Sequence, residues 1–205
     1  NFDKPIVTTD VGQNQLWTTQ YIKLEGNRQL LTSGGLGTMG YGFPAAIGAQ
    51  LGNPDKTVIA ISGDGGMQMN IQELATAVVY ELPLILVVFN NGYLGNVRQW
   101  QELFYNKRYS STCLKYRKGC DRQCGLCGTP DEKCMTYVPD FVKLAESYEA
   151  QGIRVFNEEE MAAAFEKAKQ HKNGPTLIEF IIEREANVSP MVPTGKTLAD
   201  MIMDC

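Results

Sequence analysis

The fold is decided by the stretch Ile61-Ser62-Gly63-Asp64-Gly65-Gly66. It ends a run of apolar, mostly β-branched residues at 57–61, which is typical of a buried strand. Residues 67–80 have the pattern of a helix, and residues 83–89 again have that of a strand. The second strand leads into Phe89-Asn90-Asn91-Gly92-Tyr93. The sequence therefore predicts one strand–helix–strand unit of the usual size, roughly 30 residues.

The polar turns after the two strands are expected to meet. A crossover helix makes the strands parallel, so Asp64 and Asn91 leave the sheet at the same carboxyl edge, where open α/β sheets bind ligands. A carboxylate and an amide oxygen suit Mg²⁺, which usually also binds phosphate oxygens. Gly65 and Gly66 leave backbone N–H groups open to such a phosphate at a helix start. These residues predict a metal-bridged diphosphate site.

Each half of this motif has a simpler structural explanation. Asp at a strand-to-helix turn, as at position 64, is more often a helix cap. Asn-Gly, as at 91–92, is a common turn signal. Only the two halves together, one strand–helix–strand unit apart, favour ligand binding.

A glycine-rich stretch offers a competing interpretation. Residues 33–42 contain five glycines, and Gly35-Leu36-Gly37-Thr38-Met39-Gly40 matches the dinucleotide-binding pattern G-x-G-x-x-G. That pattern requires an acidic residue about 20 positions later, at the end of the next strand. Asp55 has the spacing but precedes its strand, and so belongs to the opposite edge. We therefore expect a loop that lets another ligand approach the backbone.

The alternation of strands and helices sets the fold class. Strands are predicted at 5–10, 29–32, 57–61, 83–89, 152–155 and 175–182. Helices are predicted at 16–21, 43–50, 67–80, 94–104, 140–148 and 157–170, with Asp140 and Asn157 as caps. This order predicts a doubly wound, mostly parallel α/β sheet with helices on both faces. We expect one domain over residues 1–183, including an irregular Cys-rich insertion at 106–138, and a surface tail at 184–205.

Composition argues against several classes of protein. The chain has 205 residues, of which 43% are hydrophobic and 20% charged, as in an ordinary globular domain. Its formal net charge of −4 argues against a nucleic-acid surface. No apolar run approaches the ~18 residues of a membrane span. We expect a cytoplasmic protein without a membrane partner.

The cysteines form a separate feature. Five of the six lie between Cys113 and Cys134, and Cys120, Cys124, Cys127 and Cys134 have the spacing of metal ligands. Four thiolates can hold zinc or an iron–sulfur cluster. Free thiols and disulfides are the alternatives, and disulfides fit a cytosolic protein least. We expect a metal there, with zinc favoured over iron–sulfur.

Several motifs together resemble the thiamine diphosphate-dependent 2-oxoacid enzymes, and most closely the acetolactate synthase large subunits. Gly63-Asp64-Gly65 followed by Asn90-Asn91 is similar to the family's cofactor motif. Other segments that carry the resemblance are residues 8–13, 31–40, 72–77, 91–95, 98–105 and 190–193. The resemblance covers most of the chain except about 113–137.

The resemblance implies a role for each matching residue. Asp64, Asn91 and the main-chain carbonyl of Tyr93 would bind Mg²⁺, which bridges the diphosphate of thiamine diphosphate. Met39 and Trp100 are the catalytic candidates: Met39 would press the aminopyrimidine toward the thiazolium, and Trp100 would help to choose the second 2-oxoacid. For both, the simpler role is packing. Further contacts to the cofactor are implied for Val11, Gly12, Gln13, Asn14, Gly37, Gly65, Gly66, Leu94, Gly95 and Asn96.

The implied reaction is decarboxylation of pyruvate and addition of the remaining two carbons to pyruvate or 2-oxobutyrate, which begins branched-chain amino acid biosynthesis. The resemblance also implies a homodimer or higher oligomer, a regulatory small subunit, and FAD bound mainly outside this chain. In this family the activating glutamate comes from a pyrimidine-binding domain across a subunit interface. Nothing in this sequence resembles that domain, so we expect the chain to be inactive alone.

Two positions depart from the family pattern. Asn14 stands where a His is usual beside the diphosphate, and Asn96 where a Met is usual near the reacting carbons. Asn14 can still donate a hydrogen bond, so we expect cofactor binding to survive, whereas Asn96 leaves the choice of acceptor open. Two other functions also remain open. One is a split-subunit 2-oxoacid decarboxylase or 2-oxoacid:ferredoxin oxidoreductase β chain, and the other is a non-catalytic metal-knuckle module.

Overall fold

The computed structural model describes residues 2–26, 29–114 and 139–203. The strands are β1 (Ile6–Thr9), β2 (Leu30–Thr32), β3 (Val58–Gly63), β4 (Ile85–Asn90), β5 (Gln151–Val155) and β6 (Thr176–Ile181). The helices are α1 (Gln13–Tyr21), α2 (Gly42–Gly52), α3 (Asp64–Met67), α4 (Glu73–Val79), α5 (Gly95–Phe104), α6 (Phe141–Ser147) and α7 (Glu158–Gln170). The strands form a single sheet in the order β2-β1-β3-β4-β6-β5. Every strand pair in it is parallel, which confirms the predicted fold class.

Both faces of the sheet are covered, which explains why its central strands are apolar throughout. Successive side chains of a strand point to opposite faces. Val58 and Ala60 of β3 thus join the larger core, to which α2, α4 and α6 contribute. Ile59, between them, joins a second core with Ala164 and Ala168 of α7.

The strand order changes direction between β1 and β3. From β1 the chain runs to β2 on one side and then returns to β3 on the other, which creates a crevice at the carboxyl ends of β1 and β3. Thr9 pairs with Ile61, and Gly63 pairs with Phe89. The turns after β1, β3 and β4 therefore share one edge, as the sequence predicted for the last two.

One predicted helix is interrupted. Residues 67–80 were expected to form a single helix, but they divide into the end of α3, a turn, and α4. In that turn the side-chain nitrogen of Asn70 donates to the carbonyl of Gly40 at 2.7 Å. An Asn side chain that bonds elsewhere competes with helical hydrogen bonding. The helix is therefore broken at Asn70, whose side chain bonds this turn to the glycine-rich loop.

The tail departs from its prediction in part. It was expected to lie on the surface, but Val188 is 1% exposed. The N–H and the carbonyl of Val188 both bond to Gln99 of α5, which is itself fully buried. The surface prediction is therefore wrong around this residue, because a buried amide on α5 pairs with the tail backbone. Farther on, Leu198–Asp200 form a 3₁₀ turn.

The remaining local predictions have mixed outcomes. The Asp140 and Asn157 side chains accept the N–H groups of Lys143 and Glu160, which confirms both caps. The residues of the insertion as far as 114 form no helix or strand beyond one isolated bridge. The cysteines at 120, 124, 127 and 134 lie outside the described residues. Among the described helices, none has the length and apolar character needed to cross a membrane.

An ion-pair network joins β5, β6 and α6. Glu179 is 1% exposed, and it accepts hydrogen bonds from Arg154 and Asn90, each at 2.7 Å. Arg154 also pairs with Asp140. Burial alone would raise the pKa of Asp140, but the N–H of Lys143 and the Arg154 guanidinium lower the pKa below its usual value. This network therefore stabilises the fold above the ordinary Asp pKa and less as the pH falls through the lowered pKa of Asp140.

Replacing Arg154 with Met leaves Glu179 as an unpaired buried charge. We expect the free energy of unfolding, measured with urea at pH 7, to fall by about 3 kcal/mol. Adding Glu179→Gln should recover much of this loss, because it removes the charge and keeps an acceptor for Asn90. Lys143→Met is the control, since the exposed Lys143–Asp140 pair should contribute about 0.5 kcal/mol or less. Equal losses for Arg154→Met and Lys143→Met would contradict this account.

Candidate functional site

The carboxylate of Asp10 holds the glycine-rich loop against the end of β1. Asp10 is 1% exposed. One carboxylate oxygen accepts the N–H groups of Gly40 and Gly42 at 2.9 and 3.0 Å, and the other accepts that of Val11 at 2.9 Å. Asp10 lies in the segment 8–13 that carries the family resemblance, but no role was predicted for it. The signal was its position, an acidic residue directly after a buried strand at the ligand-binding edge.

The turns after β3 and β4 are tied together by Asp64. This residue is 1% exposed, and its two carboxylate oxygens accept the N–H groups of Gly65 at 3.0 Å and Gly92 at 2.8 Å. The side-chain oxygen of Asn91 accepts the N–H of Tyr93 at 2.9 Å. A carboxylate or amide oxygen has more than one lone pair, so these oxygens can bond a cation as well.

The donor set suits a hard cation. Within residues 2–26, 29–114 and 139–203, no three His, Cys, Asp or Glu side chains form a metal-binding group. A cation at Asp64 would therefore meet at most two such side chains from these residues, and it could add the Asn91 amide oxygen and backbone carbonyls. Such oxygens, completed by phosphate and water, are the ligands of Mg²⁺.

A cavity of about 240 Å³ opens at this edge of the sheet. The structure brings to it every site residue predicted outside the cysteine segment: Val11, Gly12, Gln13, Asn14, Gly37, Met39, Asp64, Gly65, Gly66, Asn91, Tyr93, Leu94, Gly95, Asn96 and Trp100. The residues that sequence reasoning missed are Trp17, Gly63, Phe89, Val97 and Ile182. Trp17 was detectable, because it lies four positions after Gln13 and three after Asn14 on one helix.

Two glycines are required by the closeness of the cavity walls. A Cβ on Gly65 would lie 2.7 Å from the Leu94 side chain and 3.4 Å from the Met39 methyl group. A Cβ on Gly95 would overlap the side-chain oxygen of Gln13 and lie 2.9 Å from the Asn91 nitrogen. At both positions any side chain would collide with residues of a neighbouring turn, so only glycine fits without a shift.

The two asparagines that depart from the family pattern both line this cavity. Asn14 donates to the carbonyl of Val11 at 3.2 Å, which leaves one N–H for the phosphate contact predicted from sequence. The side-chain oxygens of Asn14 and Asn96 are buried and have no hydrogen-bond partner. Because an unsatisfied buried polar atom costs about 1–3 kcal/mol, both oxygens are candidates for contact with a bound ligand.

Trp100 stands at the mouth of the cavity. It lies on α5 and is 43% exposed. A second cavity of about 260 Å³ adjoins the first, and Asn96 and Trp100 line both. The far wall of the second cavity is formed by the tail, through Val188, Pro190, Met191, Val192 and Thr194.

Comparison with known proteins decides the family. Residues 10–180 match the family described as "Thiamine pyrophosphate enzyme, C-terminal TPP binding domain". The chain belongs to this family. The predicted resemblance is thereby confirmed, and the TPP-binding domain has the parallel sheet and the sheet-edge cavity described above.

The names of individual relatives are more specific than the description of the family. The chain is 44% identical, over 96% of its length, to the acetolactate synthase large subunit of Corynebacterium glutamicum, of which it covers 29%. It is 40% identical, again over 96%, to the acetolactate synthase isozyme 2 large subunit of Escherichia coli K12, of which it covers 32%. The chain thus spans about a third of the length of these relatives.

A solved structure is also similar. The thiamine diphosphate-dependent 4-hydroxybenzoylformate decarboxylase of Rhodococcus jostii RHA1 superimposes with a TM-score of 0.71 at 26% identity. The match covers 90% of this chain and 31% of the decarboxylase chain.

Asp10→Asn tests how the glycine-rich loop is held. The variant places an NH₂ group against a backbone N–H, so we expect the free energy of unfolding to fall by about 2–3 kcal/mol. Hydrogen exchange of the Gly40 and Gly42 amides should also become faster. Asp55→Asn is the matched control, because this exposed residue should change stability by no more than about 0.5 kcal/mol. Unchanged protection of Gly40 and Gly42 in Asp10→Asn would show that the loop is held by other contacts.

Proposed function

We propose that this domain binds thiamine diphosphate through Mg²⁺ held by Asp64, Asn91 and the main-chain carbonyl of Tyr93. The observation that carries the proposal is the meeting of the Asp64 and Asn91 turns in the cavity of a TPP-binding family member. Oxygen donors on Asp64 and Asn91 suit Mg²⁺. The backbone of Gly65 and Gly66, at the start of α3, suits the diphosphate.

The apolar residues of the cavity would orient the rest of the cofactor. The Met39 methyl group lies within van der Waals range of the position of a Gly65 Cβ, and the Leu94 side chain lies closer still. We propose that Met39 supports the bend between the two rings of the cofactor. Thiamine diphosphate, when bound, supplies the electron sink for decarboxylation of a 2-oxoacid. Val11, Gly12, Gln13, Asn14, Gly37, Gly95 and Asn96 would form the remaining contacts.

For the whole protein we propose acetolactate synthase activity. Pyruvate would lose CO₂, and the remaining two-carbon unit would join a second pyruvate or 2-oxobutyrate. Support comes from relatives named acetolactate synthase large subunits at 40–44% identity. Because the chain spans about a third of those relatives, we propose that the activating glutamate, on the pyrimidine-binding domain of a partner subunit, and the FAD site lie outside it. We also propose a cytoplasmic homodimer or larger oligomer with a regulatory small subunit.

Simple decarboxylation is the second candidate. One similar solved structure is that of a 4-hydroxybenzoylformate decarboxylase, which supports this alternative at the level of the fold. The two activities differ in whether an acceptor is used, and the second cavity beside Asn96 and Trp100 has a volume for one. The ferredoxin-linked and metal-knuckle alternatives depend on cysteines outside the described residues.

Cofactor binding can be measured by calorimetry with Mg²⁺ and thiamine diphosphate. We expect Asp64→Asn to weaken Mg²⁺-dependent binding at least tenfold, about 1.4 kcal/mol, because it removes the only charged side chain proposed to bind the cation. Asp55→Asn should bind as the unaltered protein does. Equal binding by Asp64→Asn and the unaltered protein would refute the proposed metal site.

The reaction can be identified from its products. With pyruvate, Mg²⁺, thiamine diphosphate and FAD, the full-length protein should form acetolactate. Formation of acetaldehyde alone would favour the decarboxylase. With pyruvate and 2-oxobutyrate together, Trp100→Leu should change the ratio of acetohydroxybutyrate to acetolactate, on the order of tenfold. An unchanged ratio would assign Trp100 to packing.

A further inference from the structure

A line of buried amides runs from the candidate metal site to the tail. The Asn91 nitrogen donates to the Gln13 oxygen at 3.4 Å, and the Gln13 nitrogen donates to the Gln99 oxygen at 3.0 Å. The Gln99 nitrogen donates in turn to the carbonyl of Val188 at 2.8 Å. All three bonds have the same donor-to-acceptor direction. Asn91, Gln13 and Gln99 are 6%, 5% and 0% exposed, so solvent does not compete for these bonds.

The backbone of Val188 fixes the orientation of Gln99. The N–H of Val188 donates to the Gln99 oxygen at 2.9 Å, while its carbonyl accepts from the Gln99 nitrogen. Because a backbone N–H only donates and a carbonyl only accepts, the Gln99 amide has one permitted orientation. A segment of the tail thus decides that Gln99 offers its oxygen, and not its NH₂ group, to Gln13.

The orientation of Gln99 determines that of Gln13, and Gln13 in turn determines that of Asn91. Gln13 must present its nitrogen to the Gln99 oxygen, and this nitrogen also donates to the carbonyl of Ala186 at 2.9 Å. The Gln13 oxygen then faces Asn91 and accepts from its nitrogen. The Asn91 oxygen is left on the other side, where it accepts the N–H of Tyr93. Asn91 consequently offers its NH₂ group to Gln13, and its oxygen is kept available for the cation proposed at Asp64 and Asn91.

We propose that Gln13 and Gln99 are positioning residues that hold the Asn91 oxygen toward the cation, and that cation binding in return secures the tail around Val188. The inference rests on the proposed function, since it requires Mg²⁺ at Asp64 and Asn91. Aligned hydrogen bonds polarise one another, so a cation on the Asn91 oxygen strengthens each bond along the line. Coupling between two sites is reciprocal, so the metal site and the tail stabilise each other.

Gly95 shows that the line depends on close approach. It begins α5, and a Cβ at this position would overlap the Gln13 oxygen. Gly95→Ala should therefore break the Asn91–Gln13 bond, although Ala is the better helix former. The bonds of Gln99 to Val188 are left in place. This substitution separates the two ends of the line.

The tail end of the line lies beside the second cavity. Val188 itself lines that cavity, together with Met191, Asn96 and Trp100. Cation binding at Asn91 would thus also fix one wall of the space proposed for the acceptor. The amides therefore connect the cofactor site to the acceptor side.

The test compares Gln99→Met with Gln101→Met in the full-length protein. Gln101 is a matched control, because it lies on the same helix and clamps the N–H and carbonyl of Ser110, both at 3.0 Å, without reaching Asn91. Mg²⁺ affinity is titrated at saturating thiamine diphosphate. Hydrogen exchange at the Val188 amide is followed with and without Mg²⁺ and the cofactor.

We expect Gln99→Met to raise the Kd for Mg²⁺ about three- to tenfold and to abolish the slowing of Val188 exchange by the cofactor. Gln101→Met should change neither. Because Gly95 is also a proposed cofactor contact, the decisive readout for Gly95→Ala is exchange at Val188: basal protection should be kept, and the further slowing by cofactor should be lost. The Gly95→Ala variant still tests the proposal if Gln99→Met does not fold.

Two results would overturn the proposal, and they are distinguishable. If the unaltered protein binds no Mg²⁺ and thiamine diphosphate, the proposed function fails and the inference fails with it. If it binds both, but Gln99→Met binds Mg²⁺ as tightly as Gln101→Met, or Gly95→Ala keeps the slowing of Val188 exchange by cofactor, the inference alone is wrong.

Discussion

The carboxylate of Asp10 is the constraint on which the cavity depends. It is buried at the point where the strand order reverses, and the N–H groups of Val11, Gly40 and Gly42 satisfy it. Removing the partners of a buried charge costs several kcal/mol, so the glycine-rich loop is held firmly over the sheet edge. A Cβ on Gly66 would overlap this carboxylate. The same charge therefore also dictates glycine at the start of α3.

The walls of the site are set by polar side chains that bond to the backbone rather than by apolar packing. Asp10 fixes the loop after β2, Asp64 ties the turn after β3 to the turn after β4, and Gln99 fixes the tail. Such bonds define orientation as well as distance, which a site for a cation and a diphosphate requires. The apolar side chains, such as Met39 and Trp100, fill the space between these fixed points.

Much of this arrangement was predictable from local patterns. Alternating strands and helices indicated the parallel sheet, and the turns at Asp64 and Asn91 indicated the site. What the sequence did not show are contacts between distant positions. The helix break at Asn70 depends on Gly40, and the buried tail depends on Gln99, 89 positions before Val188. Neither partner is marked by a local pattern, because Asn and Gln are common on solvent-facing helix surfaces.

The most direct test of the central claim is a crystal structure of the full-length protein with thiamine diphosphate and Mn²⁺ in place of Mg²⁺. We expect an anomalous scattering peak at a metal bonded to the side-chain oxygens of Asp64 and Asn91 and to the carbonyl of Tyr93. Diphosphate oxygens should complete its coordination. A cofactor bound at another edge of the sheet, or a metal without contact to Asp64 and Asn91, would contradict this claim.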